Sequence, residues 1–334
     1  MGTLKWKKNM GPLDLSSLTD LIEDFEGNIQ PESEPYFKAT KLADGVWSVL
    51  SNGDYTYVLE GDDELLCIDS GMGAGSIRDF CQSLCPEKPL YRIINTHNHF
   101  DHTLNNYQFD VVYMSEWCYE GRCRKMGDFK DIDVPDDYPV VFLHDGDVFN
   151  LKGRPLEVYA IAEHCTGSLS FLDRKSRILF CGDELNDHFF DSRISVEHSY
   201  KNLKRWASFR DAYDLLCAGN GQAEARFVDQ YLEMAEDLLF KNPDLGKEYY
   251  EPYEDRIANV SELDGKPVYS RRSPKFAKMK QNFIDAGLGR FLEYSHGRMT
   301  FCFGRKLGPD GPFDRQYEKG DARFCYYRNK IWDK

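Results

Sequence analysis

The chain has 334 residues, 41% of them apolar and 29% charged, the values of a globular protein with room for a large core. Its 56 acidic and 42 basic side chains leave a net charge of −14, which argues against a protein that grips nucleic acid through its phosphates. No run approaches the ~18–20 consecutive apolar residues of a membrane helix. The basic start, Met1-Gly2-Thr3-Leu4-Lys5-Trp6-Lys7-Lys8, precedes neither an apolar stretch nor a small-residue cleavage site. The expectation is a cytoplasmic protein without membrane or nucleic-acid partners. Its ten cysteines then read as free thiols rather than a disulfide scaffold.

Residues 1–39 are polar and punctuated by proline and glycine, with a short helical pattern at Leu15, Leu18, Leu21 and Ile22; they read as an N-terminal extension. Apolar runs at Val46–Val49, Tyr55–Leu59 and Leu65–Ile68 are broken by Asn52-Gly53-Asp54 and Gly61-Asp62-Asp63, the pattern of hairpin strands. Ser76–Leu84 predicts a helix, and Tyr91–Asn95 a short buried strand. Strand patterns resume at Val111–Met114, Val140–Leu143, Leu156–Ile161, Leu169–Leu172 and Ile178–Cys181. Helical patterns follow at Leu203–Tyr213 and Ala223–Leu239, the second with Phe227, Tyr231, Met234 and Leu238 on one apolar stripe. Strands with intervening helices suit two facing sheets covered by helices, spanning residues 40–240. Residues 241–334 are rich in tyrosine, arginine and proline, with strand-like pieces at Phe291–Tyr294, Met299–Phe303 and Arg323–Tyr327. They read as a C-terminal extension packed on the domain, a candidate lid or dimer arm. The best basic cluster, Arg271, Arg272, Lys275, Lys278 and Lys280, reads as a solvated helix face.

The segment Thr96-His97-Asn98-His99-Phe100-Asp101-His102 carries the chemistry. It follows a buried strand, on the kind of loop where a rigid scaffold aims side chains at one point. In extended backbone His97 and His99 share a face and can grip one ion, while Asp101 and His102 lie where they could reach a second. Imidazole with carboxylate suits zinc, iron or manganese. Two such ions roughly 3.5–4 Å apart can activate water and polarise the oxygen of the group it attacks.

These residues resemble the metallo-β-lactamase superfamily, whose signature is His-x-His-x-Asp-His after a strand, and the resemblance runs from about Thr40 to Phe240. Leu65-Leu66-Cys67-Ile68-Asp69-Ser70-Gly71 is similar to the family's strand ending in Asp-Ser/Thr-Gly, which implies that Asp69 supports the metal loop. Glu163-His164-Cys165-Thr166-Gly167-Ser168 is similar to its next motif and implies His164 as the third ligand of the first metal. Ile178-Leu179-Phe180-Cys181-Gly182-Asp183 matches the strand whose aspartate bridges two metals. The implied fold is α/β, a four-layer αββα sandwich of two mixed β-sheets covered by helices.

The fifth motif departs from the pattern. Where many members carry Gly-His-Gly after a late strand, this chain has Leu215-Leu216-Cys217-Ala218-Gly219-Asn220-Gly221. A first site of His97, His99 and His164 with Asp183 is complete, whereas a second, of Asp101, His102, Asp183 and Asn220, is weakened. Asparagine offers a neutral oxygen, poor for zinc and better suited to harder ions. Three outcomes stay open: one metal only, a harder second ion on Asn220, or another histidine in its place, with His188 nearest in sequence. His144, His198 and His296 read as structural or surface residues. Cys165, beside His164, reads as packing, with an influence on the site as the alternative.

The resemblance implies a metal-dependent hydrolase acting on a small ester, thioester, lactone or related substrate, with Zn2+ firmly bound once and Mn2+ or Fe2+ as alternatives. Asp101 is the expected orienter and proton acceptor for the attacking water. A homo-oligomer is left open. The competing readings are a di-iron redox enzyme, whose family members favour glutamate at the position of His99, and a non-catalytic member of the same fold.

Overall fold

The computed structural model describes residues 21–23, 28–31, 33–51, 54–119, 122, 134–187, 189–192, 196–242, 247–248, 261–263, 265–270, 291–296 and 299–304. Strands β1 (Leu21–Glu23) and β2 (Ile29–Pro31) form an antiparallel pair. They are followed by an antiparallel meander of β3 (Phe37–Ala43), β4 (Val46–Ser51), β5 (Asp54–Glu60) and β6 (Leu65–Ile68). Helix α1 (Ile77–Ser83), capped by the Ser76 hydroxyl, crosses to β7 (Leu90–Ile94). Helix α2 (Phe100–Thr103), β8 (Val111–Met114), α3 (Glu116–Tyr119) and β9 (Val140–Phe142) complete a seven-stranded sheet in chain order, parallel from β6 onwards.

The second sheet begins with β10 (Val148–Leu151), β11 (Arg154–Tyr159), β12 (Ser170–Asp173) and β13 (Ile178–Gly182). After β14 (Phe189–Asp191) and helix α4 (Val196–Ala207), β15 (Leu215–Ala218) joins parallel to β13, and β16 (Gly221–Glu224) closes the edge ahead of α5 (Arg226–Glu236). Beyond them, β17 (Lys247–Glu248), β18 (Ser261–Leu263), β19 (Lys266–Ser270), β20 (Phe291–His296) and β21 (Met299–Gly304) make two small sheets. Their orders are β18-β19-β1-β2 and β14-β21-β20-β17, so the first borrows the N-terminal strands and the second borrows β14.

Strand alternation builds the layers, because successive side chains leave opposite faces of a sheet. On β6, Leu66 and Ile68 join a core between the two sheets, while Leu65 and Cys67 face the core beneath α1. On β13, Ile178 and Phe180 point inwards, while Leu179 and Cys181 pack under α4 and α5 with Trp206, Tyr231 and Met234. Both faces being buried, these strands are near-continuous apolar runs. The result is the expected sandwich of two mixed sheets with helices outside.

Two helical expectations shift. The Leu203–Tyr213 pattern becomes α4, which starts earlier at Val196 and ends at Ala207, before a separate 3-10 turn at Arg210–Ala212. Its buried face includes Ser199 and Asn202, and these polar residues hid the first turns from a hydrophobic reading. The Ala223–Leu239 pattern loses Ala223 to β16, and α5 continues into a π turn at Asp237–Lys241. The N-terminal helical pattern also fails, since Leu21 and Ile22 lie on β1; Leu15 and Leu18 are outside the described residues. So are the basic cluster at 271–280 and the strand-like piece at Arg323–Tyr327. Among the described residues no helix is long and apolar enough to cross a membrane.

Arg154, fully buried on β11, clamps the two sheets together. Its guanidinium donates to Asp173 at 2.5 Å within its own sheet, and to the carbonyls of Glu60 (2.9 Å) and Asp44 (2.6 Å) in the other. Removing one partner of a buried pair strands the other charge in low dielectric. Arg154→Ala is therefore expected to lower stability by about 3–5 kcal/mol in urea unfolding. Arg154→Lys should recover little, because one ammonium on a flexible stem cannot serve all three acceptors.

Candidate metal centre

The candidate residues gather at one end of the sandwich, where the loops after β6, β7, β13 and β15 meet the loop entering β12. Backbone bonds stitch that end: Leu169 N–H donates to Thr96 O (2.7 Å), Gly219 N–H to Gly182 O (3.1 Å), and Tyr55 N–H to Gly219 O (2.9 Å). The Tyr57 hydroxyl donates to Ala218 O at 2.5 Å, so β5 of the first sheet holds the turn that carries Gly219 and Asn220.

Asp69 organises the histidine loop. It is buried at the end of β6 in a left-handed conformation (φ 59°), which aspartate tolerates better than most residues. Its carboxylate accepts from Thr96 N–H (2.8 Å) and the Thr96 hydroxyl (2.6 Å). Its Oδ2 also lies 2.8 Å from His102 Nδ1, which turns the other nitrogen, Nε2, into the site. A carboxylate behind an imidazole fixes the tautomer and raises ligand basicity.

Three imidazoles converge. His99 Nδ1 lies 3.0 Å from His97 Nε2 and 2.8 Å from His164 Nε2, and the three residues present ligand atoms within 4.8 Å of one another. A neutral imidazole has one N–H, so three ring nitrogens meeting at one point leave lone pairs facing each other. A second group of the same compactness combines His97, His102 and Asp183. Asp183 Oδ1 is 3.3 Å from His102 Nε2, and Oδ2 is 3.6 Å from His164 Nε2, so this carboxylate stands between the two groups. Asp101 Oδ2 lies 4.0 Å from His102 Nε2.

His102 Nε2 is buried, with Asp183 and Asp101 oxygens at 3.3 and 4.0 Å as its acidic neighbours. Burial alone would lower the His102 pKa, but Asp183, Asp69 and Asp101 around it hold it well above the ordinary histidine value. Burial pushes the Asp101 carboxyl up to about 6, while Asp183, despite its burial, is held below the usual carboxylate range by His102, His164 and His99. The imidazole and carboxylate donors gathered here fit a divalent metal ion.

The site residues read from the sequence are thus brought together for His97, His99, His164, Asp183, His102 and Asp101. Asn220 sits on the adjoining turn, part-exposed, and it is Gly219 whose backbone lies against the site. His188 is outside the described residues. His144 is exposed in a turn, and His198 packs on α4 within 3.4 Å of Ala162 O. His296 lies on β20. Cys165 packs behind the site, its thiol donating to Asn98 Oδ1 at 3.2 Å, and burial pushes its pKa up.

Two residues escaped the sequence reading. Glu184, adjacent to Asp183, turns the opposite way and accepts backbone N–H groups from the His164 loop; burial pushes its carboxyl up to about 7 against those bonds. A buried carboxylate serving backbone has no periodic signature. Gly219 belonged to a recognised motif, but its role is steric: a Cβ there would lie 2.3 Å from Asp183 Oδ1 and 2.5 Å from His102 Cε1. Gly219→Ala is therefore expected to displace one of these groups and lower the metal content per chain, with the melting temperature changed little. Elemental analysis beside a thermal melt checks this.

Residues 53–218 match the metallo-beta-lactamase superfamily. The acyl-coenzyme A thioesterase MBLAC2 of Homo sapiens is 26% identical over 189 residues, 46% of this chain and 67% of that protein. The 2,4-dinitroanisole O-demethylase subunit alpha of a Nocardioides species is 35% identical over 75 residues, 22% of this chain and 23% of that one. Among solved structures, a metallo-beta-lactamase from Pontibacter korlensis aligns at 17% identity with a TM-score of 0.47, covering 60% of this chain and 100% of the other. With a histidine loop after a parallel strand at the open end of two facing sheets, this chain belongs, through residues 53–218, to the metallo-β-lactamase superfamily.

Proposed function

We propose that this protein is a cytoplasmic metallo-hydrolase that cleaves small thioesters of the acyl-coenzyme A type, using zinc held by His97, His99 and His164. The observation that carries the reading is the convergence of those three imidazoles beside Asp183 and His102. The thioester assignment draws on the acyl-coenzyme A thioesterase relative.

A zinc ion in this position would lower the pKa of water from ~15.7 towards ~7, supplying hydroxide at neutral pH, and would polarise the thioester carbonyl. The chain's own groups do the rest. Asp183, between the two imidazole groups, orients the water. Asp101, on the first turn of α2, accepts the proton that the water gives up. The water oxygen bonds to the carbonyl carbon, the carbon–sulfur bond breaks, and the proton on Asp101 passes to the departing sulfur. The products are a carboxylic acid and a thiol.

Asn220, in place of the expected histidine, leaves the second position (Asp101, His102, Asp183) with a neutral amide at best. We assign it weaker binding, or preference for a harder ion such as Mn2+ or Fe2+.

Removal of metal by a chelator is expected to abolish thioester hydrolysis, and Zn2+ to restore it. His99→Ala should lose both the bound metal and activity, whereas Asn220→His should raise the metal stoichiometry towards two. A panel of acyl-coenzyme A, acyl-N-acetylcysteamine, ester, lactone and phosphodiester substrates tests the bond class. Turnover of phosphodiesters but not thioesters, or protein purified without stoichiometric metal, would overturn the reading.

A further inference from the structure

His164 reaches the site from a loop that lacks regular structure yet is largely buried: Ile161, Ala162, Glu163 and Cys165 are each less than a tenth exposed. Buried backbone N–H groups need acceptors. Three consecutive ones find a single carboxylate. Glu184 Oε2 accepts from Glu163 N–H (2.6 Å) and His164 N–H (2.9 Å), and Oε1 from Cys165 N–H at 3.4 Å. Glu184 is itself held by a turn in which its own N–H donates to Cys181 O at 3.1 Å. The same turn aims Asp183 into the site, so neighbouring carboxylates face opposite ways and perform different tasks.

The side chain of the residue before His164 is anchored as well. The Glu163 carboxylate, almost fully buried, accepts from Ser199 Oγ (2.8 Å) and Asn202 Nδ2 (2.7 Å), both on the inner face of α4. Asn202 also donates to Ala162 O at 3.1 Å. His97 is buried and braced by the Thr96 hydroxyl at 3.1 Å, while the His164 ring is part-exposed and is carried by the backbone that Glu184 holds.

We propose that Glu184, with Glu163 behind it, is the positioning carboxylate for His164, setting the third imidazole relative to Asp183 as Asp69 sets His102 on the opposite loop. This rests on the reading of His164 as a metal ligand. Glu184 touches neither substrate nor ion; it acts through the backbone it holds.

The test uses cobalt(II) as the probe, added to full-length protein stripped of metal, with binding followed by the visible d–d absorption and by chelator competition. Glu184→Ala is expected to weaken cobalt affinity about 10–100-fold, the usual effect of losing an outer-shell partner, and to alter the absorption band. Glu184→Gln keeps the volume and one acceptor oxygen, so it should fold normally and lose less affinity. It carries the test if the alanine variant does not fold. Asn202→Ala, which loosens Glu163, Ala162 and His198 but leaves the Glu184 bonds in place, should give a smaller shift in the same direction. Cobalt affinity and spectrum unchanged in Glu184→Ala, or in Glu184→Gln where alanine fails to fold, overturn the proposal. His164→Ala is the separate control: unchanged cobalt binding there removes the ligand reading itself, whereas loss of binding there with no effect at Glu184 removes only the positioning role.

Discussion

The arrangement depends on the Asp69 carboxylate. It sits at the end of a fully buried strand and ties the parallel neighbour β7 to itself through Thr96, while holding His102 from behind. Hydrogen bonds to a charged acceptor contribute roughly 1.5–3 kcal/mol each. Several such bonds readily offset the cost of ~1–3 kcal/mol for holding a residue in an uncommon backbone conformation. Local strain at Asp69 thus persists because the surroundings over-determine it, and the same bonds fix where the histidine loop starts.

Electrostatics then explains why these groups tolerate one another. Asp69, Asp101 and Asp183 surround one buried imidazole, His102, and three further imidazoles present nitrogens at a single point. Without a cation, protons must fill that role, and the ring nitrogens of His97, His99 and His164 have to share them. A divalent ion held by His97, His99 and His164 would take up those lone pairs in place of protons. The acid excess of the whole chain, −14, runs in the same direction as the local charge.

The two sheets contribute unequally. The first supplies His97, His99, Asp101 and His102 from one short loop, so their mutual spacing is set by a few consecutive backbone dihedrals. The second supplies His164, Asp183 and the Gly219–Asn220 turn from three loops, and their positions depend on contacts across the sandwich. Chief among these are the Tyr55 and Tyr57 bonds to the turn and the Leu169–Thr96 bond. Further out, β14, whose first residue follows Asp183 by six positions, pairs with β21, linking the chain beyond residue 240 to the part that carries the site.

The sequence alone determined the histidine loop, the strands leading into it and the two-sheet class. Those features live in consecutive residues: an apolar run such as Leu65–Ile68 or Ile178–Cys181 is a strand wherever it is buried on both faces, and a ligand cluster within one loop needs no partner to be seen. It also marked Asn220 as the odd residue of its motif. Only the tertiary structure decided which backbone lies against the site, since Gly219 matters through a Cβ it does not have. The start of α4 was hidden because Ser199 and Asn202 are buried for hydrogen bonding to Glu163, which no hydrophobic period reveals. Glu184 was invisible for the same reason: its partners are the backbone N–H groups of a loop 20 residues away, and a polar group satisfied by distant backbone leaves no pattern along the chain.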